Sequence, residues 1–274
     1  MKIYLSGDTH GDITRFNTSN FPEGKNLTKE DLVIQLGDFG VIWDQADTSN
    51  EIYWMNWLAD KPWTTLVVQG NHDNHDIIES LPKGLLYGGY VYEYKCQKGT
   101  VYFTVPGEVY TINGEKYLAV PKARSIDKAY RTEGRSWWAK EMLSADEENN
   151  TLDNLDNHNW KVHFLLSHTC PDSVIGAFLD NPSSPKFRDP VSRFLEFIAN
   201  KLDFHANLFG HFHNPRTYVD EATDYYRCLF NEITELQEIK NDIPKAKKAK
   251  KLEKERQLAI LEKAEQIRLE KAGL

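Results

Sequence analysis

Short apolar runs alternate with polar, loop-rich stretches along most of the chain. Seven of them, at 3–5, 32–36, 65–68, 101–105, 117–120, 162–166 and 206–209, have strand length and are rich in Val, Ile, Phe or Leu. Helical patterns lie between them. In 50–59 the apolar residues Ile52, Trp54, Met55, Trp57 and Leu58 are wrapped around a helix. Ser144 followed by Glu147 reads as a capping box opening a short acidic helix through Leu152 and Leu155. Asp189 before Pro190 marks the N-cap of another helix, over 190–202. Between 88 and 120 the chain is punctuated by Gly and dense in Tyr and Val, which predicts consecutive antiparallel strands. Strands interleaved with helices, plus a run of strands in the middle, predict an α/β fold with mixed sheets.

The pattern changes near the C-terminus. Residues 245–272 are largely Ala, Lys, Glu, Leu, Gln and Arg, all strong helix formers, with Pro244 at the expected start and Gly273 at the expected C-cap. The apolar stripe of this helix (Leu252, Ile260, Ala264, Ile267) is sparse, which predicts a solvated extension. An arm that contacts a partner or nucleic acid is the alternative. Charge divides the chain at nearly the same place. Residues 240–274 carry 11 basic and 6 acidic side chains, whereas 1–239 carry 22 and 35. We therefore read 1–239 as the catalytic body and 240–274 as a basic helical extension. An acidic body is a poor platform for nucleic-acid phosphates but tolerates a site that gathers divalent cations.

Composition narrows the class further. With 274 residues, 40% hydrophobic, and 13 Tyr, 13 Phe and 7 Trp, the chain has material for a large core, which excludes a disordered protein. No run approaches the ~18 apolar residues of a membrane span. Ser6-Gly7-Asp8 follows the first five residues directly, so no cleaved signal peptide is expected. Cys96, Cys170 and Cys228 are odd in number and widely spaced, which excludes a disulfide scaffold and a structural zinc finger. A cytoplasmic location is the expectation.

The chemistry gathers where apolar runs end. Asp8-Thr9-His10, Gly37-Asp38, Gly70-Asn71-His72-Asp73, Ser167-His168 and Gly210-His211-Phe212-His213 each follow one of the runs. In open α/β sheets, ligands bind beyond the carboxyl ends of strands, so five polar motifs delivered to that rim converge on one site. Asp8 and His10 are two apart on extended chain, as are His211 and His213, and a loop can aim both members of each pair at a shared point. Asp38 has two oxygens with which to bridge two ions. Oxygen and imidazole donors without thiolate suit Mn, Fe or Zn better than Ca or a structural zinc. Two ions ~3.5–4 Å apart stabilise both the attacking and the leaving oxygen of an in-line displacement at phosphorus. Arg124 and Arg131 are candidate clamps for a substrate phosphate, because guanidinium presents paired donors to phosphate oxygens. Trp137 and Trp138 serve either as core or as a wall of the pocket. His75 reads as a rim or surface residue, and Cys170 as a small packing residue.

The order Asp-x-His, Gly-Asp, Gly-Asn-His-Asp, His, Gly-His-x-His resembles the calcineurin-like metallophosphoesterase superfamily, from Lys2 to about His213. The resemblance implies a four-layer α-β-β-α sandwich of two mixed β-sheets. It implies a first metal held by Asp8, His10, Asp38 and His213, and a second held by Asp38, Asn71, His168 and His211. The cofactors implied are two divalent ions, Mn, Fe or Zn, with Ni a further candidate. His72 falls near the leaving oxygen as a general acid or electrostatic stabiliser, and Asn71 helps to stabilise charge.

Serine/threonine protein phosphatases of the superfamily read Gly-Asp-x-x-Asp-Arg-Gly, whereas here Gly37-Asp38 continues Phe39-Gly40-Val41-Ile42. Val41 stands where their second Asp would be, and the Arg is missing. The orientation of His72 then falls to another group, with Asp73 the candidate. The segment from Ala123 to Trp138 is similar to one in a bacterial and phage branch. The expected activity is hydrolysis of phosphate esters by in-line attack of a metal-bridging hydroxide. The expected substrate is a small phosphate ester or nucleotide. The alternatives are a phosphodiesterase or nuclease acting on nucleotides, and a non-catalytic metal-binding scaffold.

Overall fold

Alternation inside each apolar run decides which side of a sheet each residue faces. The structure, a computed structural model, describes residues 1–43, 49–182 and 185–272. Its regular elements are β1 (Ile3–Gly7), β2 (Leu32–Leu36), α1 (Ser49–Ala59), β3 (Thr64–Val68), α2 (His75–Ser80) and β4 (Lys83–Leu86). They continue with β5 (Gly89–Cys96), β6 (Gly99–Thr104), β7 (Val109–Ile112), β8 (Glu115–Val120), α3 (Ala145–Asn157) and β9 (Phe164–Ser167). The last six are α4 (Pro190–Ala199), β10 (Ala206–Phe209), β11 (Arg216–Val219), β12 (Tyr225–Cys228), β13 (Thr234–Glu235) and α5 (Leu236–Ala272).

Two mixed sheets result. One has seven strands in the order β13-β1-β2-β3-β6-β5-β4, and the other six in the order β11-β12-β10-β9-β8-β7. Their centres are parallel: β1, β2, β3 and β6 in the first, β8, β9, β10 and β12 in the second. The expected antiparallel run in the middle is divided between them. Strands β4 to β6 form an antiparallel edge of the first sheet, and the β7–β8 hairpin an edge of the second.

Every second residue of the parallel strands enters the core between the sheets. Ile3, Leu5, Leu32, Ile34, Leu36, Leu66 and Val68 meet Tyr117, Ala119, Phe164, Leu166, Ala206 and Leu208 there. The alternate residues Tyr4, Val33 and Val67 face outward onto Met55 and Leu58 of α1 and the 3-10 turn Ile13–Phe16. On the other side Leu118, Val120 and Leu165 face Leu155 of α3 and Val191, Leu195 and Ile198 of α4. This is the four-layer arrangement that the resemblance implied. Emptying one of these buried Leu positions to Ala would cost about 2–5 kcal/mol. Both predicted helix starts are present as capping boxes, Ser144 with Glu147 and Asp189 with Ser192.

The C-terminal helix starts earlier than its sequence suggests. It begins at Leu236 and carries Pro244 inside it. Leu236 and Ile239 are buried in the core between the sheets, and Ile243 and Ala246 pack against that core, so tertiary burial sets the start. The later turns expose Leu258, Ile260 and Leu261, while Lys250 and Lys254 pair with Glu221 at 2.8 and 3.2 Å. Gly273 lies outside the described residues. No helix among the described residues is long and apolar enough to cross a membrane.

Candidate metal centre

Parallel pairing places the ends of five strands on one edge. Gly7 is in register with Leu36, and Leu36 with Val68, so the loops after β1, β2 and β3 emerge side by side. In the facing sheet Leu166 is in register with Leu208, which puts His168 beside Gly210 and His211. The two rims are tied across the gap. The His211 N–H donates to both carboxylate oxygens of Asp8, at 2.9 and 3.0 Å, and the Gly7 N–H donates to the Phe230 carbonyl.

The backbone here is not extended, as the two-residue spacings suggested. Asp8, His10, Asp38, His211 and His213 all have positive φ, between 46° and 69°. Non-glycine residues enter this left-handed region at a cost of order 1–3 kcal/mol each, and they cluster at functional sites. These turns redirect the chain so that Asp8 and His10 present donor atoms to one cluster. Two glycines are required by close approach. A Cβ on Gly37 would stand 1.9 Å from His168 Nδ1, and one on Gly70 would stand 2.3 Å from Asp38 Oδ1.

Two clusters of donor atoms form, and they share Asp38. The donors of Asp8, His10, Asp38 and His213 lie within 4.8 Å of one another, as do those of Asp38, His168 and His211. Asn71 joins the second, its Oδ1 3.0 Å from His168 Nε2. The chemistry fits divalent cations. His211 Nε2 is buried without a hydrogen-bond partner. His10 Nε2 and His213 Nε2 face each other at 2.9 Å, two basic nitrogens that a cation between them would satisfy. His168 Nδ1 is 3.3 Å from the Leu36 carbonyl, a contact that orients the ring and turns Nε2 toward Asp38.

Electrostatics prepares the same groups. Burial pushes the Asp38 carboxyl up, but His168 at 3.1 Å outweighs it and holds the group below its ordinary range. Burial opposes charge on His168, yet Asp38 and Asp8 prevail and push its pKa up to about 9. Burial, aided by the Asp38 charge, raises Asp8 to about 8 against the pull of His168. Burial lowers His10 to about 4 and also lowers His211 and His213, so all three are neutral with lone pairs free to bind a metal. The His168 imidazolium lies 3.1 Å from the Asp38 carboxylate and balances its charge.

His72 sits at the edge of the cluster. Its Nε2 is 4.0 Å from Asp38 Oδ2 and 3.3 Å from Arg131 Nη2, while its N–H donates to Asp38 Oδ1 at 2.7 Å. Burial and the Arg131 charge both favour neutral His72, against the opposing pull of Asp38. Arg131 is itself held by Asp127 Oδ1 at 2.6 Å and the Ser136 carbonyl at 2.9 Å. Arg124 points elsewhere: its Nη2 donates to the carbonyls of Lys186 and Arg188 and so ties down the loop before α4.

Asp73 does not orient His72. Its carboxylate accepts N–H bonds from Phe39, Gly40 and Gly70 and so braces the two ligand-bearing loops. Val41, at the position of the protein phosphatases' Asp, is buried in the outer core. His75 is buried, not on the rim, with its Nε2 2.9 Å from the Gly70 carbonyl. Trp137 and Trp138 are buried, Trp138 edge-on to Trp43, and Cys170 packs in the α3–α4 core.

Three participants carry no motif. The Arg15 guanidinium donates to the carbonyls of Gly7, Asp8 and Phe230, fixing the loop after β1. Ser125 accepts from Asn71 Nδ2 at 3.2 Å and donates to Glu141 at 2.6 Å. Only the crowding of polar residues in the long β8–α3 connection hinted at the last two.

Residues 1–215 match the sequence profile of the calcineurin-like phosphoesterase family. The chain is also similar to lariat debranching enzyme A of Xenopus laevis, 29% identical over 104 residues. That stretch covers 33% of this chain and 19% of the relative, so the match spans about a fifth of the relative's length. Among solved structures, the phosphopantetheinyl hydrolase of Mycobacterium tuberculosis superposes with a TM-score of 0.43 at 13% identity, over 84% of this chain and 89% of that one. With the family profile spanning the strands and loops that form the clusters, this chain belongs to the calcineurin-like phosphoesterase family.

Proposed function

We propose that the chain is a divalent-metal-dependent phosphoesterase whose ions are held by Asp8, His10, Asp38 and His213 and by Asp38, Asn71, His168 and His211. The observation that carries this reading is the sharing of one buried carboxylate, Asp38, by two clusters of donor atoms. Divalent ions bound there would supply Lewis-acid charge to a phosphoryl group and acidify water. Mn, Fe and Zn, with Ni as a further candidate, suit this mixture of carboxylate, amide and imidazole.

The chain's own groups act around that centre. Arg131, already held in place by Asp127, presents its guanidinium to a phosphate oxygen. When phosphate takes that N–H, the His72 Nε2 lone pair is freed to take a proton from solvent water and deliver it to the leaving oxygen. Asn71 turns its amide oxygen to the second cluster, since its Nδ2 donates to Ser125 Oγ at 3.2 Å. Arg124 serves the loop and not the phosphate. A cavity of about 570 Å³ opens beside His213, lined by Ile126, Leu179, Lys186, Phe187 and Phe212 among others, and it has room for the organic part of a small ester or nucleotide. We take the catalytic unit to extend through the first turns of α5, because Leu236 and Ile239 belong to its core. We also propose a cytoplasmic location for it.

The test is turnover of metal-stripped protein against mono- and bis-nitrophenyl phosphate, with Mn, Fe(II), Zn, Ni and Mg restored separately. The likeness to a lariat debranching enzyme makes the diester a necessary second substrate. Turnover is expected with at least one transition metal and little with none. Silence with every metal, in folded protein that binds two ions, would replace the enzyme with a binding scaffold.

A further inference from the structure

We infer that Ser125 and Glu141 are positioning residues that determine which end of the Asn71 amide faces the metal centre. This rests on the reading of Asn71 as a ligand of the second ion. An asparagine amide has an oxygen end that can bind a cation and an NH₂ end that cannot, and the two are nearly identical in shape. Packing alone therefore cannot choose between them, and hydrogen bonding must.

The choice is built into three buried groups. Asn71, Ser125 and Glu141 are 4%, 3% and 1% exposed. The Ser125 hydroxyl gives its single hydrogen to Glu141 Oε2 at 2.6 Å, and the Ser125 N–H donates to Glu141 Oε1 at 3.1 Å. Both carboxylate oxygens are thus engaged by one residue, which fixes its rotamer. With its proton committed, Ser125 Oγ can only accept, and it does so from Asn71 Nδ2 at 3.2 Å. The NH₂ end is held away from the centre and Oδ1 is left 3.0 Å from His168 Nε2. A flipped amide would aim two N–H groups at the cation and would set its oxygen against the lone pairs of Ser125.

The same arrangement accounts for a buried acid. Glu141 lies in a 3-10 turn of the β8–α3 connection, far from any strand end, and forms no salt bridge among the described residues. A carboxylate is costly to bury unless its hydrogen bonds are made, and here they are made to the residue that faces Asn71.

The test uses full-length, metal-stripped protein titrated with Mn²⁺, with bound and free ion followed by electron paramagnetic resonance and folding by circular dichroism. Ser125→Ala is expected to weaken the second equivalent about 10–100-fold, the usual scale for losing a group that orients a metal ligand, and to leave the first nearly unchanged. A double-mutant cycle separates orientation from mere packing. Asn71→Asp offers an oxygen at either end, so adding Ser125→Ala to it is expected to change the second affinity less than threefold. A loss in that background as large as in the wild type would make Ser125 a packing residue and overturn the inference. So would wild-type affinity in Ser125→Ala. Wild-type protein that takes up fewer than two ions would instead overturn the metal reading on which the inference depends.

Discussion

Asp38→Asn ends hydrolysis of nitrophenyl phosphate esters, lowering kcat/KM by roughly 10³-fold or more, because it removes the one charge common to both clusters. Asp38 is 1% exposed, with Oδ1 3.1 Å from His168 Nε2 and Oδ2 3.8 Å from His10 Nε2. No other described carboxylate belongs to both donor sets. The asparagine variant keeps an oxygen for the His72 N–H, now 2.7 Å from Asp38 Oδ1, so the loop retains its bond and the protein stays folded. Asp38→Ala is the harsher form, since it also leaves that N–H buried and unpaired, at about 1–3 kcal/mol. Metal analysis alongside kinetics should find no more than one ion per chain in either variant. Two ions and undiminished turnover would remove Asp38 from the centre.

His72→Ala separates chemistry from metal binding. It is expected to keep two ions, leave KM within about threefold and lower kcat on the order of 10²–10⁴-fold, the range of a lost general acid. The geometry supports this split. His72 Nε2 stands 4.0 Å from Asp38 yet 3.3 Å from Arg131, beside the clusters and next to the group assigned to phosphate. The loss should be largest for esters with poor leaving groups, where the proton matters most. Metal loss equal to that of Asp38→Asn would make His72 a ligand instead.

The expected strands at 32–36 and 206–209 coincide with β2 and β10, because fully buried central strands announce themselves as nearly continuous apolar runs, interrupted here only by Gln35 and Asn207. Ser144 and Asp189 were legible for a different reason: a cap is a local hydrogen bond between residues three apart, so nothing distant can override it. The clusters were legible because each donor follows a strand, and the parallel register carries that local fact to the shared rim.

What escaped the sequence depends on partners far along the chain. β13 is two residues long and exists by pairing with β1, more than 220 residues earlier, and β11 is a half-exposed edge strand. The start of α5 follows from the burial of Leu236 and Ile239, which outweighs the usual preference of proline for a first turn. Among the left-handed turns at Asp8, His10, Asp38, His211 and His213, those at Asp8 and His211 are tied across the two rims by the His211 N–H on the Asp8 carboxylate. Asp73 and His75 show the same limit. Both lie within the metal motif, but what they do is set by the Phe39, Gly40 and Gly70 backbone folded against them.

The central claim is a two-ion centre bridged by Asp38, and anomalous diffraction from crystals grown with Mn²⁺ tests it most directly. Two peaks are expected ~3.5–4 Å apart. One should lie among Asp8, His10, Asp38 and His213, the other among Asp38, Asn71, His168 and His211, with Asp38 reaching both. A single peak, or two peaks with Asp38 touching only one, would contradict it.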